Sequence, residues 1–233
     1  MTPLHDSALE QLARSSICRD MPSESVAALA KHASQLDRSR GDRVFEEGAP
    51  AMALFLVTRG VVKLVRALES RDVIIELVGP GDVLGEAALT DGGRYDAGAV
   101  CVHPSTVLVI PRDDALAFVA SNADAVRNVL ALLQSSLRRA HQRVEDLSVF
   151  GVRHRIARFL LRLADWTGRE DHGRVVVPLA LSRQELAALV GTTMETTIRV
   201  MSGLRQDGLV EPARRGVVLP DRAALEAVAG DPT

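Results

Sequence analysis

The chain has little cysteine: Cys18 and Cys101 are the only two among 233 residues. They stand far apart and give no disulfide framework. Two thiolates are also too few for a four-thiolate iron–sulfur cluster within one chain. Lysine is nearly missing, with Lys31 and Lys63 set against 26 arginines; that imbalance fits a GC-rich bacterial genome by association alone. No apolar run approaches the roughly 20 residues needed to span a bilayer. The start, MTPLHDSALEQLARSSICRD, has neither a basic opening nor an apolar core, so no signal peptide is expected and the expected location is the cytoplasm. His5, His32, His141, His154 and His172 lack metal-site spacing, so no metal is expected. Neither a nucleophile–base constellation nor a Walker loop appears. The glycine loop Gly79–Gly93 lacks both the GxGxxG and the GKS/T spacing. An enzyme is therefore not expected.

What is present is a stretch that reads as two short helices joined by a tight turn, LSRQELAALVGTTMETTIRVMSGLRQDG from Leu181 to Gly208. Ser182 and Glu185 have capping-box spacing. Leu186, Leu189 and Val190 form an inward stripe. Gly191 stands where a left-handed residue ends the first helix. Thr193 caps the second helix, whose Val200, Met201 and Leu204 face the first. Its other face carries Glu195, Thr196 and Arg199. A carboxylate and a guanidinium one turn apart can read base edges in a major groove, Arg to guanine and Glu to cytosine. Leu209–Glu211, Ala213–Gly216 and Val217–Leu219 read as a basic hairpin, a wing. The competing reading is an ordinary helical hairpin with a charged outer face. Net charge is −2, which announces no nucleic-acid partner. From residue 150 onward, however, 12 Arg face 10 Asp+Glu, giving +2, and the remainder carries −4.

Upstream, residues 7–36 read as helical with a break at Met21-Pro22-Ser23. Short β-branched runs then alternate with glycine turns: Arg43–Phe45, Ala53–Val57, Val61–Val65, Val73–Val78, Ala99–Val102 and Val107–Ile110. Regular short strands with turn signals indicate a small antiparallel barrel or roll. Val126, Leu130, Leu133, Leu137, Ala140, Val144 and Leu147 then step alternately by four and three. That heptad seam predicts a two-stranded coiled coil between subunits, in preference to a purely intramolecular helix. Gly151 reads as a hinge before a helix over 153–166. The expected class is α+β: helices and an antiparallel β-roll of jelly-roll type over 1–113, a dimerisation helix and hinge over 114–150, and a winged helix-turn-helix over 151–233.

Roll, long helix and winged helix-turn-helix in that order resemble the Crp/Fnr family of transcription regulators over nearly the whole chain. GPGDVLGEAALTDGG (Gly79–Gly93) resembles the family's phosphate-binding cassette, and Leu181–Leu204 resembles its helix-turn-helix signature. The signature departs at Ile198, where the family usually has a small residue. The resemblance implies a homodimer on a palindrome in double-stranded DNA, with recognition helices about 34 Å apart, RNA polymerase as a further partner and no membrane. It implies base reading by Glu195 and Arg199. Met194 and Ile198, which donate no hydrogen bonds, would touch thymine methyls. The expected half-site is one well-read G·C pair flanked by A·T-type steps, of the TTG/CAA kind. Ser182, Gln184, Thr193 and Thr196 align with phosphate-contacting positions, and Arg214 and Arg215 would reach phosphates from the wing.

For the effector the resemblance implies a cyclic-nucleotide site and also where it fails. Gly85 and Glu86 match the pair that meets ribose and phosphate. Tyr95 and Asp96 stand where an Arg and a Ser or Thr would meet the cyclic phosphate. Tyr cannot make a bidentate charge-assisted contact, and Asp96 opposes the phosphate. The adenine-contacting hydroxyl positions fall on Ala140 and His141. Cyclic AMP is therefore disfavoured, and no cofactor is assigned. Alternatives stay open: a cyclic-AMP-responsive regulator in which Arg94 swings into the site, a haem or NO-type sensor with Cys101 or His103 as axial ligand, a thiol redox sensor through Cys18 or Cys101, another ligand, or none. A nucleotide-sensing module serving a kinase or channel would need a partner outside this chain.

Overall fold

The computed structural model describes residues 3–68, 71–90, 93–178, 181–214 and 216–230. The chain forms two compact units, Met1–Arg138 and Arg139–Thr233.

The first unit opens with α1 (Pro3–Ala13), a 3₁₀ turn at Ser16–Cys18 and α2 (Ser23–Ala30), which starts directly after Pro22. The helical reading up to residue 36 overran the helix. β1 (Ser34–Arg38) follows, its SQLDR too polar to announce a strand. Then come β2 (Arg43–Phe45), β3 (Ala53–Arg59), β4 (Val62–Leu68), β5 (Arg71–Val78), the two-residue β6 (Val83–Leu84), β7 (Gly98–Cys101) and β8 (Ser105–Pro111). They form two antiparallel sheets, ordered β1-β8-β3-β6 and β2-β7-β4-β5. Val57 and Val107 from one sheet meet Val62, Val78, Ala99 and Cys101 from the other in one buried cluster. Gly60 makes the tight β3–β4 turn at φ +87°, pressed against the Pro104–Ser105 backbone where no side chain fits.

α3 (Arg112–Ser121) and α4 (Ala123–Val149) follow the roll. Ala125 and Leu132 of α4 are buried with Leu12, Ile17 and Leu29 in a second cluster. Asn128 donates to the carbonyls of Ile17 (3.1 Å) and Arg19 (2.9 Å), fixing the start of α4 on the N-terminal turn. The heptad residues Val126, Leu130, Leu133, Leu137, Val144 and Leu147 lie on another face and are 43–64% exposed. Among the described residues no single helix is long and apolar enough to cross a membrane.

The second unit contains the end of α4, then α5 (Val152–Thr167), β9 (Arg169–Asp171), β10 (Arg174–Pro178), α6 (Arg183–Val190), α7 (Met194–Gln206), β11 (Glu211–Ala213), β12 (Gly216–Leu219) and α8 (Arg222–Gly230). Its sheet runs β11-β12-β10-β9. His172 (φ 50°) and Gly173 (φ 76°) make the two-residue β9–β10 loop, the paired positive φ of a type I′ hairpin. Ile156, Leu160, Leu163, Leu186, Met201, Leu204, Leu219 and Leu225 are buried at the centre.

Candidate nucleic-acid interface and sensor cavity

The turn between α6 and α7 is built from local chemistry. The Glu185 amide donates to Ser182 Oγ (3.1 Å) and the Ser182 amide donates back to Glu185 Oε2 (2.9 Å). This reciprocal capping box satisfies two amides that a helix start leaves without partners. Gly191 ends α6 at φ +67°. Thr193 caps α7 by accepting from the Thr196 amide (3.2 Å). Arg155 of α5 fastens the turn from behind, donating to the carbonyls of Val190 (2.8 Å) and Gly191 (3.1 Å) at the negative end of α6. It also donates to Phe150 (2.7 Å), the last residue before Gly151. Arg158 pairs with Asp146, stacks on the Phe150 ring (4.3 Å to the centroid) and donates to the Ala229 carbonyl (3.1 Å).

α7 is two-sided. Thr197, Met201 and Leu204 are buried against the unit, and Val200 is half-buried. Met194, Glu195, Ile198 and Arg199 point outward and are exposed. Hydrogen bonds from its own amide and from the Thr193 hydroxyl hold the Glu195 carboxyl below its usual range, so it is an anionic acceptor at neutral pH. Ser182, Gln184 and Thr193 are exposed beside it, and Thr196 is half-buried. Arg214 is exposed at the β11–β12 turn, and Arg215 lies outside the described residues.

In the first unit a cavity of about 300 Å³ opens beside the cassette, lined by Phe45, Leu64, Arg66, Ile75, Gly85, Glu86, Ala87, Tyr95, Asp96 and Ala97. Gly85 is required there: its φ is +81°, and a Cβ would sit 3.0 Å from the Ala53 carbonyl oxygen and 3.1 Å from the Tyr95 ring. Tyr95 is buried, stacked on Phe45 at 4.1 Å between centroids. Its hydroxyl donates to the Ala53 carbonyl (2.9 Å) and accepts from the Ala53 amide (3.1 Å). Met52 accepts from the Arg112 amide (2.9 Å), so the polar groups of Ala53, the next residue in the β3–β8 ladder, point away from β8. Tyr95 therefore gives both a donor and an acceptor to the open edge of β3 beyond the two-residue pairing with β6. Arg94 is exposed and donates to the Gly48 carbonyl (2.7 Å); it is not among the cavity's lining residues. Asp96 is exposed at the cavity wall. Ala140 and His141 are on α4 in the second unit.

Among the lining residues that sequence reading missed, Arg66 is the charged one. Alternation along β4 puts it on the same face as Leu64, a signal the strand itself carried. Its Nε donates to Glu47 (3.5 Å), whose other oxygen accepts from the Ala67 amide (2.7 Å). Arg112, at the start of α3, donates to the carbonyls of Ala88 (3.0 Å) and Thr90 (2.6 Å), tying the cassette to that helix.

Cys101 and His103, although two residues apart, do not share a strand face. β7 ends at Cys101, and residues 102–104 bend away, so strand alternation does not carry to His103. Both cysteines are buried. Burial pushes the Cys18 thiol up to about 11 and raises Cys101 too, which suppresses the thiolate form that redox chemistry needs. Among the described residues no group of three or more His, Cys, Asp or Glu side chains is placed to hold a metal ion.

Comparison with known proteins gives the same two parts in the same order. Residues 37–122 match the cyclic nucleotide-binding domain and residues 154–228 the Crp-like helix-turn-helix domain. A "CRP-like cAMP-activated global transcriptional regulator" of Mycobacterium tuberculosis is 30% identical over 217 residues, covering 93% of this chain and 97% of its own. A "Cyclic AMP receptor protein" of Thermus thermophilus is 35% identical over 191 residues, covering 82% and 85%. The crystal structure of a CRP-family transcriptional regulator of Thermus thermophilus superposes with a TM-score of 0.70 at 30% identity, covering 85% of this chain and 97% of that one. The first and third of these are named as transcriptional regulators, and none of the three as an enzyme. With a nucleotide-binding-type roll, a capped helix-turn-helix and a wing matched across nearly its full length, the chain belongs to the Crp/Fnr family of transcription regulators.

Proposed function

We propose that the chain works in the cytoplasm as a homodimer that reads a palindromic DNA site and regulates transcription there with RNA polymerase, and that its roll does not answer cyclic AMP. The observation that carries the DNA reading is the outward face of α7, where Glu195 and Arg199 are exposed one turn apart on a helix capped at both ends of its turn. Arg199 takes guanine O6 and N7, and Glu195 accepts from cytosine N4. Ser182, Gln184, Thr193, Thr196 and Arg214 meet phosphates, which set register and salt dependence rather than sequence. The exposed heptad face of α4 is the dimer seam. Gly85 and Glu86 keep the nucleotide-type entrance. The engaged Tyr95 hydroxyl and the Asp96 carboxylate argue against a cyclic phosphate.

A second reading has support of its own. Two relatives are named for cyclic AMP, and the cavity persists. The experiment is selection of a palindromic duplex from a library at one fixed salt, with and without cyclic AMP, followed by Arg199→Ala on the selected site. The expected outcome is nucleotide-independent binding. The variant should lose about 1–3 kcal/mol at one base pair per half-site and little elsewhere. Binding that needs cyclic AMP favours the second reading, and uniform loss over all sequences removes Arg199 from base reading.

A further inference from the structure

Outside α4, three of the described large apolar side chains are strongly exposed: Met52 on the roll, and Met194 (45%) and Ile198 (49%) on the recognition helix. The last two are four residues apart, so they form one apolar strip on one helix face. The strip runs beside Glu195 and Arg199, which are also four apart. The unit packs without it, because Thr197, Met201 and Leu204 already fill the inner face. Ile198 gains nothing for the helix either, since β-branched residues are weaker helix formers than straight-chain ones. An exposed apolar strip of this kind marks an interaction surface. The polar pair flanking it fixes the partner as the major groove under the proposed DNA reading, on which this inference rests.

The major-groove edge of a base pair offers one apolar group, the methyl at C5 of thymine. Isoleucine has no donor or acceptor, and a methionine sulfur is a weak acceptor at best. The strip therefore has little means of telling thymine O4 from a cytosine amino group by hydrogen bonding. It senses whether a methyl is there to be covered. We infer that the bases facing Met194 and Ile198 are selected as C5-methylated pyrimidines, so that 5-methylcytosine substitutes for thymine at these positions and cytosine methylation creates binding sites for this regulator.

Burying one methyl-sized group is worth about a fourfold change in affinity. The test is fluorescence anisotropy at one fixed salt on the selected duplex. Each A·T-type position beside the read G·C pair is rebuilt in turn as T·A, U·A, 5-methylcytosine·G and C·G. At the facing positions T and 5-methylcytosine should bind alike, with U and C about fourfold weaker. In Ile198→Ser that difference should shrink toward none at the base facing residue 198 and stay at the base facing Met194, while the guanine preference set by Arg199 persists and shows that the helix is intact. The inference is overturned if U binds like T at every position. It is also overturned if 5-methylcytosine is no better than C, or if Ile198→Ser keeps the full methyl effect at the base facing residue 198. Failure to select any duplex instead overturns the DNA reading beneath it.

Discussion

Leu147, near the end of α4, lies directly against Gly191 in the turn of the helix-turn-helix: its Cδ2 fills the space a Cβ at residue 191 would need. Both residues belong to the second unit. Together with the Arg155 contacts to Phe150, Val190 and Gly191, this packing makes the last turn of α4 part of the structure that holds the recognition helix. Gly191→Ala meets two penalties. The left-handed backbone costs a non-glycine residue about 1–2 kcal/mol, and turning aside the tip of Leu147, which is 53% exposed, adds a smaller overpacking cost. Denaturant unfolding should show a loss of that summed order. In a Leu147→Ala background the overpacking part should disappear and the backbone part remain. Equal losses in both backgrounds would mean that the Leu147 packing is not limiting.

The two faces of α4 differ in burial, and under the proposed function the exposed one is the dimer seam. Leu132 is 4% exposed within the first unit, and Leu130 and Leu137 are 62% and 56% exposed. The double variant Leu130→Glu/Leu137→Glu should sediment as a monomer while keeping nearly the wild-type circular dichroism. Leu132→Glu, which buries an unpaired carboxyl, should lower stability by several kcal/mol. A Leu130→Glu/Leu137→Glu protein that remains dimeric would place the dimer seam elsewhere.

Tyr95 gives the sensor roll a test that needs no knowledge of its effector. Tyr95→Phe keeps the ring stacked on Phe45 and removes the partner of both polar groups of Ala53. The expected loss is about 1–3 kcal/mol, the cost of buried backbone groups left unsatisfied. Calorimetric titration of the wild type with cyclic AMP should give no heat of binding. Tyr95→Arg/Asp96→Ser should gain measurable affinity, because it restores a cation and a hydroxyl opposite the phosphate. Tight binding by the wild type would show that another residue neutralises the phosphate, and Arg66 is then the first to replace.

Where the sequence spoke clearly, its signals were local. Ser182, Glu185, Gly191 and Thr193 act within four residues of the bonds they make, so the helix-turn-helix could be read to its caps. The runs around Leu54, Val62 and Ile74 are β-branched enough to announce strands. β1 is polar, and β6 is two residues long and held by its pairing with Phe55 and Leu56. Neither carries a periodic signal of its own. The role of Tyr95 was hidden for a related reason. Its hydroxyl serves the polar groups of Ala53 at the open edge of β3, 42 positions away, a separation that no spacing rule bridges. Reading Tyr95 as a failed phosphate ligand left out what the phenol does instead.

His103 makes the stability of the first unit sensitive to mild acid. It sits just past β7, half-buried, with Nε2 enclosed and without a hydrogen-bond partner. Burial, and then the positive charge of Arg40, hold its pKa below the ordinary 6.5. The folded state thus resists protonation more than the unfolded chain does. The unfolded state binds more protons wherever the pH lies below 6.5 but above the depressed folded value, so stability rises with pH across that window. The contribution is complete above 6.5, is lost as pH falls through the folded value, and then levels off. Denaturant unfolding from pH 7.5 to pH 5 should show the wild type losing stability, and His103→Gln should flatten that slope. The carboxylates cannot mimic the effect. Asp37, held low chiefly by the Thr106 hydroxyl, acts in the same direction but below its ordinary 3.8, outside this range. Identical pH profiles for wild type and His103→Gln would mean that the imidazole reaches water before the unit unfolds.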